Sequence, residues 1–235
     1  MNIALIGYGK MGKAIEKIAL DRGHTISARF DSKNPVDPSV LAQADVAIEF
    51  TRPDRVLAHI FAAIDNQVPI VVGTTGWYEH FDEVKKVVKK AKSGLFYATN
   101  FSVGVNLFFD LNKKLAKLMN PHLEYAVQIE EIHHTEKLDS PSGTAITLAE
   151  GLIDRLDDKN SWVNQETTNP DEVAIISKRV PHVPGTHSIT YTSGIDQIEI
   201  KHTAFSREGF ALGAVLAAEF IAKNKGIHTM KSLLN

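Results

Sequence analysis

Up to Phe101, apolar residues follow two alternating patterns along the chain. Short apolar runs at Ile3–Ile6, Thr25–Phe30, Val46–Phe50, Pro69–Val72 and Leu95–Ala98 read as strands. Between them the apolar residues recur at helical spacing. Met11, Ala14, Ile15, Ile18 and Ala19 form one such face, and Val56, Leu57, Ile60, Phe61 and Ile64 the next. A further helix is predicted over Tyr78–Lys92, with Val84, Val87, Val88 and Ala91 inward. Pro53 falls at a first helical position behind Thr51, a candidate cap. Strand–helix alternation of this kind predicts a parallel sheet covered by helices on both faces, a doubly wound α/β fold.

The pattern changes beyond Phe101. A helix is predicted over Val105–Met119, a long strand over Glu124–His133 and a helix over Ser142–Leu156. Residues 157–171 are polar and read as a loop. Ser188–Thr192 and Gln197–His202 flank S-G-I-D as a β-hairpin, and Phe210–Ala222 is again an apolar helix. This part reads as an α+β unit with a largely antiparallel sheet.

Composition narrows the chemistry. The chain of 235 residues carries 26 Lys and Arg against 28 Asp and Glu, a formal charge of −2, which argues against nucleic-acid binding. Cysteine is absent, so disulfides, thiolate metal sites and a thiol nucleophile are excluded. Ten histidines pose the question of a metal or of acid–base work. The start of the chain has no basic stretch leading into an apolar one, and apolar runs such as Ala211–Ala218 are too short to span a bilayer, so a cytoplasmic location with no membrane partner is expected.

Gly7-Tyr8-Gly9-Lys10-Met11-Gly12 is G-x-G-x-x-G, placed after a predicted strand and opening a predicted helix. A lone glycine motif is a weak signal. In this order it predicts a dinucleotide site, with the pyrophosphate on the helix N-terminus. Asp31 follows 19 residues after Gly12, where a carboxylate meets the adenosine ribose. Ser32 and Lys33 stand ready for a 2′-phosphate, so NADH and NADPH are both expected as cofactors. Two later strand ends complete the predicted site: Gly73, Thr74 and Thr75, then Ala98, Thr99, Asn100 and Phe101. Ordinary turn chemistry is the alternative for both.

The densest chemistry lies in E-E-I-H-H-T-E-K-L-D-S-P-S-G-T, from Glu130 to Thr144. His133 and His134 are adjacent and face opposite ways on a strand, so no metal is expected. Ser142, Gly143 and Thr144 open a helix, where backbone N–H groups and hydroxyls suit a carboxylate. Lys137 is a candidate proton donor or anion partner. Each feature also has a plain structural alternative: a strand end, a solvated lysine, a helix cap.

These residues resemble the 4-hydroxy-tetrahydrodipicolinate reductase (dihydrodipicolinate reductase) family. Its signature is matched at Glu131, His133, His134, Lys137, Asp139, Pro141, Ser142, Gly143 and Thr144. F-T-R-P (Phe50–Pro53), N-F-S-V-G-V-N (Asn100–Asn106), I-E-I-x-H-x-A-x-S-R (Ile198–Arg207) and T-M-K-S-L-L (Thr229–Leu234) extend the resemblance along the chain. The resemblance implies a nicotinamide-dependent reduction of a small dicarboxylate in lysine (diaminopimelate) biosynthesis. It implies His133 as proton donor or acceptor, Lys137 as proton donor, and His134 with Gly143–Thr144 as substrate ligands. It further implies a homotetramer built on the second domain's sheet, a cofactor domain of residues 1–101 and 207–235, and a substrate domain of residues 102–206. Hinges are then expected at Phe101–Ser102 and Ser206–Arg207. A dinucleotide sensor without turnover is the alternative class, and the residue set beside P-S-G-T favours an enzyme. A semialdehyde dehydrogenase is disfavoured by the missing thiol.

Overall fold

The computed structural model describes Met1–Leu234. In chain order its elements are β1 (Asn2–Ile6), α1 (Lys10–Asp21), β2 (Thr25–Phe30), α2 (Pro38–Leu41), β3 (Val46–Glu49), α3 (Pro53–Asp65) and β4 (Ile70–Val72). A 3-10 turn at Tyr78–His80 leads into α4 (Phe81–Ala91), β5 (Gly94–Tyr97) and α5 (Val103–Met119). Then come β6 (Ala126–His133), α6 (Gly143–Ile153), β7 (Ser161–Val163), β8 (Glu172–Arg179), β9 (Gly185–Thr192) and β10 (Gln197–Ala204). The chain ends with α7 (Glu208–Ile221), β11 (Gly226–His228) and α8 (Met230–Leu234).

One compact unit comprises Met1–Val103 and the chain from Glu208 onward. Its strands lie in the order β11-β5-β4-β3-β1-β2, all parallel. The central strands are apolar but for their ends, such as Glu49 of β3, because both faces are covered. Ala4, Ile6, Val72 and Leu95 pack with Val56 and Ile60 of α3 and Val84 and Val88 of α4. Ile3, Leu5, Ile48 and Phe96 pack on the opposite side with Ile15 of α1 and Ala214 and Ala218 of α7. This is a Rossmann-like sheet. β1 pairs with β2 on one side and β3 on the other, so the strand order reverses there. A crevice outside the carboxyl ends of β1 and β3 follows from that reversal.

The second unit spans Gly104–Arg207. Its sheet runs β10-β9-β6-β8-β7. β9 is antiparallel to both β10 and β6, whereas β8 is parallel to both β6 and β7. The sheet is therefore mixed, antiparallel only on the hairpin side. The parallel side is made by β8 and by β7, which lies inside the segment 157–171 expected as a loop. Phe108 and Ala116 of α5 and Leu148 and Leu152 of α6 close one face over Val127, Ile129, Ile175 and Ile189. Asn112 Nδ2, buried, donates to the Leu148 carbonyl at 2.9 Å and ties the two helices. Among the described residues, no helix is long and apolar enough to cross a membrane.

Candidate active site

The Rossmann-like unit carries one candidate site, its crevice. Gly7 leaves β1 with φ +99°, and its N–H donates to the Phe30 carbonyl at 2.9 Å. A Cβ at Gly7 would lie 2.1 Å from the Phe50 carbonyl oxygen, and one at Gly12 would lie 2.2 Å from the Gly7 carbonyl oxygen. Both glycines are thus required by close backbone approach. Gly9 differs. It is the N-cap of α1, and a Cβ built on it meets nothing within 4 Å. Gly9 lines two cavities. One, of about 520 Å³, is also lined by Gly7, Asp31, Ser32, Arg52 and Arg55. The other, of about 430 Å³, is lined by Lys10, Met11, Gly73, Thr74 and Thr75 as well. An elongated phosphate-bearing ligand fits this layout, because α1 starts without a side-chain cap at Gly9, which both cavities share.

The carboxylate of Asp31 accepts from the backbone N–H groups of Lys33 at 2.8 Å and Asn34 at 2.9 Å through Oδ1. These bonds hold its pKa below the usual carboxylate range. Arg29 points elsewhere: with Tyr8 it hydrogen-bonds Glu16, so the Tyr8 side chain belongs to a surface network. Arg52 and Arg55 supply cations in the Asp31 cavity that the strand–helix reading did not single out; their signal was the position just behind β3. Beneath them Glu49 is fully buried, accepting from Thr51 N at 3.1 Å, while Thr51 N also reaches Thr74 Oγ1 at 2.7 Å. Lys33 lines neither of these cavities. Ala98, Thr99 and Asn100 follow β5, and the Phe101 ring is buried against Phe50 and Phe96, so Phe101 has only backbone to offer a ligand.

The mixed-sheet unit carries a second candidate site. Glu131 and His133 occupy the same face of β6, where alternation turns both inward. The β6–β9 register sets His187 opposite Glu131, and the β6–β8 register sets Ser177 beside it. Glu131 accepts from Ser142 N at 3.0 Å and Ser177 Oγ at 2.7 Å, with Arg179 Nη1 at 3.7 Å. Burial opposes the Glu131 charge, but hydrogen bonds from His187, Ser142 and Ser177 outweigh it and bring its pKa to about 2. Burial, with the like charge of His187, pushes the His133 imidazole down to about 4. His133 and His187 rings meet edge-on at 5.0 Å between centroids.

Arg179 straps the intervening segment to the sheet. Its Nη2 donates to the Asp139 carbonyl at 2.7 Å and its Nε to the Lys137 carbonyl at 3.3 Å. Lys137 Nζ lies 2.8 Å from both carboxylate oxygens of Asp139. A cis Ser140–Pro141 peptide precedes Ser142, the N-cap of α6, whose Oγ accepts from Ala145 N at 3.2 Å. Gly143 is exposed and Thr144 half-buried at the helix start. His134 is not brought to His133. It lines a separate cavity of about 300 Å³ with Glu136, His182 and Arg207, which does not include Ser142, Gly143 or Thr144. His187 and Arg179 were invisible to local spacing, because the strand register alone delivers them.

One donor atom from each of Glu131, His133 and His187 lies within 4.8 Å of the others, a set of the kind that holds metal ions. The carboxylate is already engaged by Ser142 and Ser177, and the nearby Arg179 guanidinium disfavours a second cation.

Comparison with known proteins bears on both units. Residues 1–101 match the family model described as "Dihydrodipicolinate reductase, N-terminus", and residues 104–234 match "Dihydrodipicolinate reductase, C-terminus". The chain is 48% identical over 235 residues to a 4-hydroxy-tetrahydrodipicolinate reductase of Christiangramia forsetii, covering 100% of this chain and 98% of the relative. It is 35% identical to the Neisseria gonorrhoeae protein of the same name, over 93% of this chain and 83% of that one. A solved dipicolinate-bound dihydrodipicolinate reductase from Paenisporosarcina sp. TG-14 superposes with a TM-score of 0.79 at 23% identity, covering 97% of each chain. A dinucleotide crevice, a buried acid–imidazole cluster and matches running from end to end converge: this chain belongs to the dihydrodipicolinate reductase family.

Proposed function

We propose that the protein reduces 4-hydroxy-tetrahydrodipicolinate to tetrahydrodipicolinate with loss of water, in the diaminopimelate route to lysine. The observation that carries this reading is the segment His133–Thr144, which matches the family signature and is pinned by Arg179 and Glu131 beside an N-capped helix start. Bound NADH or NADPH supplies the hydride. The chain's own residues bind the dicarboxylate and manage the proton that balances the transfer. Backbone N–H groups at Gly143 and Thr144, aided by the α6 dipole and the Thr144 hydroxyl, bind one ring carboxylate. His134 binds substrate from the cavity it shares with Arg207, whose guanidinium suits an anionic group. His133 and Lys137 handle the proton, with Asp139 holding the Lys137 ammonium in the meantime.

The cofactor is held by Gly7, Gly9, Gly12 and the first turn of α1, by Asp31 and Ser32, and by Gly73–Thr75. Asp31 favours a free ribose 2′-hydroxyl, while Ser32, Arg52 and Arg55 favour a 2′-phosphate, so use of both dinucleotides follows. The edge strand β10, with Ile198 exposed, supports assembly into a homotetramer through this sheet. The test is NADH and NADPH absorbance with freshly generated substrate. Oxidation of either supports the reading; tight dinucleotide binding without oxidation sinks it.

A further inference from the structure

We infer that Glu131 is a positioning residue: its carboxylate dictates which ring nitrogen of His133 carries the proton and, through Ser142, where the α6 anion site begins. The inference rests on the reading that His133 and the α6 start belong to the reaction site.

Glu131 is fully buried on the inner face of β6. A buried carboxylate persists only where donors surround it. Those facing it come from every neighbouring element: Ser177 Oγ and Arg179 Nη1 from β8, His187 Nε2 at 3.6 Å from β9, and Ser142 N from the start of α6. His133 Nδ1 completes the ring at 3.4 Å from Glu131 Oε2. This nitrogen is itself buried and makes no hydrogen bond, so the Glu131 carboxylate acts on it by proximity of charge. A lone pair on Nδ1 would be repelled by the anion 3.4 Å away, whereas a proton there is attracted to it. The carboxylate therefore selects the Nδ1–H form.

The consequence falls on the opposite ring edge. In neutral Nδ1–H imidazole, Nε2 bears a lone pair and accepts a hydrogen bond rather than giving a proton. His187, Lys137 and Arg179 all oppose a positive charge on this ring, as does its burial. Gly185 leaves the Nε2 edge uncrowded, since a Cβ there would lie 3.2 Å from Nε2. His133 is thus set as an acceptor, and the Lys137 ammonium remains to deliver the proton to substrate. Glu131 couples the two tasks, because the carboxylate that sets the imidazole also fixes the first backbone N–H of the P-S-G-T turn.

The test uses the full-length protein with ¹⁵N-labelled histidine, reading each tautomer from long-range ¹H–¹⁵N correlations, with His133→Gln to assign the signal. Neutral His133 protonated at Nδ1 near neutral pH supports the inference. An Nε2–H or doubly protonated ring overturns it. In Glu131→Gln, kcat should fall about 100-fold or more while dinucleotide affinity stays within about twofold, and pyridine-2,6-dicarboxylate should bind more weakly. Unchanged kcat, or equal loss of kcat and cofactor binding, overturns the positioning role. If Glu131→Gln does not fold, the tautomer in the wild-type protein still decides. A wild-type protein that binds dinucleotide but never oxidises it defeats the reductase reading and leaves the tautomer result standing, whereas an active wild type with Nε2–H His133 defeats this inference alone.

Discussion

Gly9→Ala separates a ligand-contacting glycine from a packing glycine. Gly9 has φ −83° and ψ −154°, an extended conformation that alanine adopts. A Cβ there meets no protein atom within 4 Å, so the fold has nothing to move. The exchange at an N-cap costs about 1 kcal/mol or less. The new methyl instead occupies the space where α1 presents its free N–H groups to the two crevice cavities. Loss of one charge-assisted hydrogen bond to a phosphate, about 1.5–3 kcal/mol, weakens binding roughly ten- to hundredfold. Gly12→Ala is the contrast. Its Cβ would lie 2.2 Å from the Gly7 carbonyl oxygen, where ordinary contact starts at 3.4 Å, so the helix must withdraw by 3.4 − 2.2 = 1.2 Å. Overpacking of that kind costs about 1–3 kcal/mol and lowers Tm by roughly 2–4 °C per kcal/mol in a chain of this size. Calorimetric titration with NADPH and NADH, together with thermal melts, measures both variants. Gly9→Ala with wild-type affinity, or with a Tm loss equal to that of Gly12→Ala, would refute the assignment of this loop as a pyrophosphate cradle.

Acid should destabilise the protein in two stages. His133 has its pKa lowered from 6.5 to about 4, so the unfolded chain binds its proton first; the associated stability is complete above pH 6.5 and about 3 kcal/mol is lost as pH falls toward 4. Glu131, lowered from 4.5 to about 2, contributes a similar amount, about 3 kcal/mol, that is complete above pH 4.5 and lost as pH falls through 2. Urea midpoints measured down the pH scale check this, and His133→Asn should flatten the upper stage. Lys137→Ala should reduce kcat by about 100-fold or more with little change in dinucleotide affinity; parallel loss of both in steady-state and binding assays would mark Lys137 as structural. Pyridine-2,6-dicarboxylate should compete with substrate, and Thr144→Val should raise its inhibition constant by roughly tenfold, the loss of about one hydrogen bond; unchanged inhibition would remove Thr144 from the anion site.

The first unit was legible because its physics is local. Buried parallel strands read as short apolar runs, and helices between them show period, so β1 to β5 and the intervening α1, α3 and α4 could be placed from sequence. What escaped is formed by neighbours rather than by propensity. β11 is three residues long and exists through its pairing with β5. α2 is a four-residue turn whose stability comes from the Asp37 cap on Ser39 N. In the second unit, β8 carries its apolar core Val173–Ile176 between polar ends, and β7 sits in a polar stretch, so neither announced a strand. Both are recruited by the edge that β6 offers, which is why the sheet is mixed.

The acid–imidazole site shows the same division more sharply. Glu131 and His133 stand two apart on one strand, so their shared face was readable from β periodicity. His187 is far along the chain, and no local spacing ties it to Glu131. Its place is set by apolar pairs on the same face: Val127 opposite Tyr191, then Ile129 opposite Ile189, then Glu131 opposite His187. A slip of one residue would turn Ile189 and Tyr191 away from the core, so burial forbids it. The register chosen by the core thereby carries His187 to the carboxylate, while parallel pairing brings Ser177 and Arg179 from the other side. The electrostatics of the site is a consequence of apolar packing two and four residues down the strand, and substitutions at Ile129 or Ile189 should disturb His133 chemistry without touching it.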